Sequence, residues 1–283
     1  MLISKTICHQ GLVREQNEDS YISNIDASLW LVADGVGGNV GGDIASQLAV
    51  QTADRHLRQG EGLIDSIAYA NDAILSAVSK QPELQGMATT IVAAQFKGRY
   101  FELSWVGDSR AYLIDSNAMI IRQLSSDHNL ANELFMRGDI SQEELADHPG
   151  QHELTQALGQ LSLANIPDYQ EELGSDSILL MCSDGLSGVL TDKEVLATCC
   201  RFASLDKIAD SLLSQVLQGG APDNVTFTLI AWKEELDGKD EIMHGLGQSK
   251  QINKKLHMLN KMPLTWMVLS LIVLIMMILF YVD

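Results

Sequence analysis

Two things are scarce in this chain, cysteine and positive charge. Its 283 residues include four cysteines, Cys8, Cys182, Cys199 and Cys200, two of them adjacent. That excludes a disulfide framework and offers no spacing suited to a zinc site, so the four are expected to be reduced core cysteines of a cytosolic protein. Nineteen Lys and Arg stand against 37 Asp and Glu, a formal net charge of −18. Binding to nucleic acid needs Lys and Arg to displace the counterions of the phosphate backbone, so nucleic acid is excluded as a partner. Cationic partners and metal ions suit the surface better. Residues 1–11 lack the basic start and apolar run of a signal peptide, and there is no internal repeat. Hydrophobic residues make up 46% of the chain, enough to bury the core of one large domain or two small ones.

Hydrophobicity is concentrated at the C-terminus. Residues 264–282 carry no charge, with Trp266 and Tyr281 near the ends of the run. A bilayer requires roughly 20 apolar residues, and amphipathic aromatics favour its interfaces. This predicts a transmembrane anchor over 263–283. Lys250, Lys254, Lys255 and Lys261 precede it, which predicts a single-pass protein whose large N-terminal part faces the cytoplasm. Residues 233–262 are polar and dotted with glycine and read as a linker, with room for a short helix near 252–259. A folded domain is expected over 1–232.

Within that domain, apolar runs bounded by turn residues predict strands at 29–33, 90–96, 100–106, 111–114, 120–123, 177–182 and 225–231. The Lys97-Gly98-Arg99 break makes the second and third a hairpin. Phe101, Leu103 and Trp105 alternate with Glu102 and Ser104, the period of a half-buried strand. Leu63, Ile67, Ala70, Ile74 and Val78 share one helical face, as do Leu205, Ile208, Leu212 and Val216. Ser141 with Glu144, and Thr191 with Glu194, have the spacing of capping boxes. Clustered hairpins with helix pairs between them indicate an α+β fold with antiparallel sheets.

Acidic residues recur beside glycine at strand ends: Asp34-Gly35, Gly107-Asp108, Asp184-Gly185, and Asp223 just before the last strand. One Asp-Gly pair is an ordinary turn. Four carboxylates set against apolar strands are costly to desolvate and repel one another once gathered. Divalent cations resolve both costs, and hard oxygen ligands in this number suit Mg²⁺ or Mn²⁺. Arg14, near Glu18 and Asp19, brings a planar fork that matches phosphate oxygens. By spacing alone it could instead pair with Glu18, four residues on.

Taken in order, Arg14 to Asp19, Asp34-Gly35-Val36-Gly37-Gly38, Met87-Ala88-Thr89-Thr90, residues 106–110, Asp127-His128, Ser183-Asp184-Gly185 and Asp223-Asn224-Val225-Thr226 resemble the type 2C family of metal-dependent protein phosphatases, in its bacterial form. The resemblance runs from about residue 5 to 232. It implies an α-β-β-α sandwich of two antiparallel sheets flanked by helices, with two Mn²⁺ or Mg²⁺ ions in a cleft at one edge. By position, Asp34 would bridge both ions. Asp184 and Asp223 would complete one ion's protein ligands. The carbonyl of Gly35 would serve the other, with Glu18 and Asp19 acting through water. Asp108, with Asp184, matches a weaker third metal site, and Arg14 matches the residue that grips the substrate phosphate. The implied activity is hydrolysis of phosphoserine and phosphothreonine in proteins by a metal-activated water. No nucleophilic cysteine is needed, in keeping with the lack of a cysteine-containing phosphate loop. The implied partners are phosphorylated proteins, and the expected anchor points to membrane-bound ones: a serine/threonine kinase or its substrates, or a phosphorylated component of an envelope machine. The competing function is a membrane-tethered pseudophosphatase that only binds phosphoproteins. It would require a lost metal ligand, and none of these positions is lost.

Val36 stands where animal members carry a histidine proposed as general acid. His128 is a candidate for that role, or else a hydrogen-bonding residue of a turn. Residues 129–155 correspond to the flap of bacterial relatives. Gln151-His152 replaces the Arg-Asn common there, and no catalytic role falls to His148 or His152.

Overall fold

The computed structural model describes residues 1–36, 41–146, 148–163 and 165–233. The expected anchor, and all of the expected linker but Lys233, lie outside the described residues, as does the short helix expected near 252–259. Among the described residues no helix is long and apolar enough to cross a membrane. Met1–Lys233 form one compact unit.

Two sheets carry it. The first has the order β1 (Leu2–His9), β11 (Val225–Trp232), β10 (Ser177–Cys182), β7 (Arg110–Asp115), β8 (Ile120–Gln123). The second runs β2 (Asp19–Asn24), β3 (Leu29–Val36), β5 (Ile91–Lys97), β6 (Tyr100–Val106), β9 (Tyr169–Glu172), with the short β4 (Ala88–Thr89) pairing to β3. The strand pairings in register are antiparallel. Helices α1 (Gly42–Arg58) and α2 (Leu63–Lys80) pack on the second sheet through Leu29, Leu31, Ala33, Ile91 and Ala93. Helices α3 (Leu130–Arg137) and α4 (Gln142–Ala146) lie between β8 and β9 in the chain, and α6 (Asp192–Arg201) and α7 (Leu205–Gln218) cover the first sheet through Ile178, Leu180, Phe227 and Leu229. Between the sheets lies a third apolar layer, with Trp30, Val32, Phe101, Leu103, Leu179, Met181 and Ile230 at its centre. This is the expected α-β-β-α sandwich.

Period-2 alternation explains why each central strand reads as a nearly continuous apolar run: both faces are covered. It also corrects one expectation. Ser104 was expected on a half-exposed face, yet it is fully buried, because the second sheet is covered on that side by helices and α2 packs against β6. Both predicted capping boxes form. The Ser141 and Thr191 N–H groups donate to Glu144 and Glu194 at 2.8 and 2.9 Å, and the reciprocal backbone bonds are 3.3 and 3.4 Å. Cys182 and Cys199 are buried and Cys200 half-buried, but Cys8 is exposed. It sits on the edge strand β1, where its sulfur accepts from Asn17 at 3.1 Å, so it is not a core cysteine.

The inter-sheet layer changes character at one end. On β3, Trp30 and Val32 point between the sheets, and the next residue of that parity is Asp34. Its register partner on β2 is Asp19. On β10, Leu179 and Met181 share the layer and Ser183 follows. The apolar filling thus stops at one edge of the sandwich and polar groups take over. The short helix α5 (Asp184–Ser187) begins there, placing Asp184 beside the same edge.

Candidate metal and phosphate site

At this edge opens a cavity of about 410 Å³ lined by Arg14, Glu18, Asp34, Gly35, Val36, Asp108, His152, Leu154, Asp184 and Asp223. A larger cavity, about 820 Å³, lies among β1, β11 and the α6–α7 corner. It contains none of these residues, and its Lys5 is already paired with Asp206 at 2.8 Å. The chemistry singles out the smaller cavity.

The chain around Asp34 and Asp108 is held by bonds from elsewhere in the protein. The Asp34 N–H donates to Thr90 Oγ1 at 3.0 Å, and its carbonyl accepts from the Thr90 N–H and Thr89 Oγ1, both at 2.8 Å. The Thr89-Thr90 motif therefore clamps the end of β3. Gly35 has no room for a side chain, since a Cβ there would lie 2.3 Å from the carbonyl oxygen of Gly42 and 2.8 Å from that of Glu18. Arg110 makes a fork with the buried Asp127 at 2.7–3.0 Å, which secures the turn carrying Asp108.

Asn224 is the hub that sequence reasoning missed. Its amide nitrogen donates to the carbonyls of Gln10 and Gln16 at 2.8 and 2.9 Å, and its Oδ1 accepts from the Glu18 N–H at 2.8 Å. One side chain thus shapes the loop that presents Arg14 and Glu18. The motif Asp223-Asn224-Val225-Thr226 was visible, but spacing alone did not reveal that its Asn reaches more than 200 residues back along the chain.

Arg14 is paired with Asp223, not Glu18: its Nη2 lies 2.6 Å from Asp223 Oδ2. That bond raises the guanidinium's pKa further. Asp223 Oδ1 accepts from the Asn224 N–H at 2.8 Å. Among the described residues no three His, Cys, Asp or Glu side chains converge on one point. Asp19 does not line the cavity. It lies buried beneath it, accepting from Ser183 Oγ at 2.9 Å. His128 is not a lining residue either: its Nδ1 accepts from the Gly107 N–H at 3.1 Å, and its own N–H donates to the Gly107 carbonyl at 3.0 Å. These are the bonds of a hydrogen-bonding turn residue. His152 and Leu154, from the flap, do line the cavity.

The electrostatics ask for positive charge. Burial pushes Asp34 well above the ordinary carboxylate range, and the charges of Asp19, Asp184 and Asp108 add to this. Burial likewise raises Asp19 and Asp108, each to about 7. Asp184 is raised by burial and then by Asp223, and Glu18 chiefly by burial. Among the described residues the buried Oδ1 atoms of Asp19 and Asp184 find no hydrogen-bond partner. Crowded, desolvated, unpartnered carboxylate oxygens are the donor set of a hard divalent cation, so the residues fit Mn²⁺ or Mg²⁺.

The family described as Protein phosphatase 2C matches residues 10–218. The chain belongs to that family. Among protein phosphatase 2C relatives, the serine/threonine phosphatase stp of Listeria welshimeri is 30% identical over 244 residues, covering 82% of this chain and 96% of that protein. Serine/threonine protein phosphatase PstP of Mycobacterium tuberculosis is 35% identical over 224 residues, 77% of this chain and 42% of that longer protein. A crystal structure of the PstP catalytic domain in complex with two manganese ions matches with a TM-score of 0.71 at 32% identity, covering 81% of this chain and 97% of that one.

Two outcomes follow from this geometry. Asn224→Ala leaves two carbonyls and one N–H without their partner and is expected to cost about 2 kcal/mol or more in urea unfolding; an unchanged midpoint would remove its role as hub. The second concerns pH. Asp19 and Asp108 titrate near 7 when folded but at about 4 when unfolded, so between those values the native state binds more protons. Their stabilising effect is complete below about pH 4 and is lost as pH rises toward 7. In chelator, the melting temperature should fall from pH 5 to pH 8, and Asp19→Asn or Asp108→Asn should flatten that slope. A melting temperature that rises across the window in wild type would contradict the assignment.

Proposed function

We propose that this chain is a divalent-metal-dependent protein phosphatase that hydrolyses phosphoserine and phosphothreonine. The observation that carries the reading is the gathering of Asp34, Asp108, Asp184 and Asp223 with Arg14 around one cavity. In this reading Asp34, Asp184, Asp223 and the Gly35 carbonyl would hold two ions, with Glu18 and Asp19 acting through water. Asp108, with Asp184, would hold a weaker third ion. Mn²⁺ or Mg²⁺ bound there would offset the carboxylate charge, polarise the phosphoryl group and lower the pKa of a water.

The chain's own residues do the rest. The Arg14 guanidinium stands at the cavity with one hydrogen bond among the described residues, to Asp223. A guanidinium carries five N–H donors, so its remaining donors can receive phosphate oxygens and hold phosphorus for in-line attack. The Thr89-Thr90 clamp and the Asn224 hub keep the acids and Arg14 in register while that happens. No ligand position has been lost, which favours catalysis over a scaffold that only binds phosphoproteins.

The test is phosphate release from a phosphothreonine peptide by the purified full-length chain, with Mn²⁺ and with chelator. Asp34→Asn and Asp184→Asn are each expected to lower kcat/KM by at least about 100-fold. Folded protein that takes up no Mn²⁺ in calorimetry and releases no phosphate would leave the scaffold reading in its place. Turnover of nucleotides above that of the peptide would move the substrate class to small phosphoesters.

The reading extends to location. The uncharged run at 264–282, with lysines before it, supports a single-pass anchor with the phosphatase domain on the cytoplasmic side. The substrates would then be phosphoproteins at the membrane, a serine/threonine kinase or its targets. The full chain is expected in the membrane fraction after a carbonate wash, and a chain ending at Lys233 in the soluble fraction. A truncated chain that stayed with the membrane would refute the anchor.

A further inference from the structure

Hydrolysis of a phosphoserine or phosphothreonine expels an alkoxide, a poor leaving group unless it is protonated as the P–O bond breaks. Few residues lining the cavity could supply that proton. Arg14 does not deprotonate. Gly35, Val36 and Leu154 have nothing to give, and the carboxylates belong to the metal positions. His152 remains, and imidazole is the side chain best suited to give and regain a proton near neutral pH.

Segment 128–155 holds two other histidines, and each has a ring nitrogen committed to backbone. His128 Nδ1 accepts from Gly107 at 3.1 Å and His148 Nδ1 from Gly150 at 3.0 Å. His152 has no such side-chain bond among the described contacts, and it is exposed at the cavity. It is nevertheless positioned. The chain just after it is tied to the chain following β8: the Leu130 N–H donates to the Glu153 carbonyl at 2.9 Å, and the Thr155 N–H to the His128 carbonyl at 2.9 Å. Leu154 forms an isolated bridge with Asn129. His152 lines the same cavity as Asp34 and Asp184.

We propose that His152 is the general acid of this phosphatase, an inference that rests on the activity proposed above. As the water oxygen bonds to phosphorus, the P–O bond to the substrate breaks with its electron pair staying on the side-chain oxygen. That oxygen takes the proton from a ring N–H of His152. The alcohol and phosphate depart, and the neutral ring regains a proton from solvent.

The experiment compares leaving groups, using the full-length chain in detergent with saturating Mn²⁺. A phosphothreonine peptide needs the proton; p-nitrophenyl phosphate, whose phenolate leaves unprotonated, does not. For both His152→Ala and His152→Gln, kcat on the peptide is expected to fall about 100-fold, and kcat on p-nitrophenyl phosphate by less than about fivefold. Gln keeps a hydrogen-bond donor but cannot pass a proton, so it separates acid catalysis from simple contact. Equal losses on the two substrates, no loss on either, a change confined to KM, or rescue by Gln would each overturn the proposal. A wild-type chain inactive on both substrates would instead remove the underlying phosphatase reading.

Discussion

The rest of the structure is organised around an unfavourable pair. Asp19 and Asp34 face each other across β2 and β3, on the side of the sheet that elsewhere carries Trp30 and Val32. Like charges directly opposite in a sheet repel, and carboxylates at the rim of an apolar layer lose their hydration. Asp184, Asp108 and Asp223 add to the strain from neighbouring loops. A fold stabilised only by its own contacts would not gather these groups. What makes the arrangement sustainable is a framework that leaves them nowhere to go: the Thr89-Thr90 clamp on the Asp34 backbone, the Ser183 hydroxyl on Asp19, and the Arg110 fork beneath the Asp108 turn.

That framework is unusually non-local. Asn224, next to Asp223, shapes the loop of residues 10–18. Gly185 permits it, because a Cβ at that position would lie 1.8 Å from the Asn224 carbonyl oxygen. Asp184 and Asp223 are therefore positioned partly by their neighbours' contacts with each other. Both sheets contribute to the cavity, so its geometry depends on the inter-sheet layer staying closed. The stability of the core and the placement of the acids are one problem.

Much of this was legible in the sequence, and the parts that were not have physical reasons. Strands 100–106, 120–123 and 177–182 were bounded correctly because turn residues close them at both ends. The acids were legible because Asp beside Gly at a strand end is costly without a purpose. Strand β1 and helix α1 went unread. On the edge strand β1, Leu2 to Ile7 are half-buried and only Cys8 is exposed, so its burial is too even for alternation to stand out. Helix α1 begins after Gly41 with no side-chain cap, so it lacks the start signal that marked α6. The Asp223 partner of Arg14 was not legible for a different reason. Spacing offered Glu18, but the Asn224 hub turns the loop toward Asp223, a contact between distant parts of the chain. His152 was passed over because nothing in the sequence shows that the flap folds back onto the cavity.

Charge sets the order of events in such a site. The cavity collects Glu18, Asp34, Asp108, Asp184 and Asp223 against Arg14 and His152, within a chain of net charge −18. The charge of Arg14 is already countered by Asp223 at 2.6 Å. The protein by itself therefore presents a phosphate dianion with a repulsive field, and no rearrangement of Arg14 alone can reverse its sign. Only added cations can. Metal and phosphate must then bind cooperatively. A divalent ion held by Asp223 would relieve the carboxylates, compete with Arg14 for that side chain, and so free guanidinium donors for the phosphate. By linkage the phosphate must tighten the metals in return. An acidic domain that would otherwise reject its substrate thus becomes selective for phosphate only when its metal positions are filled.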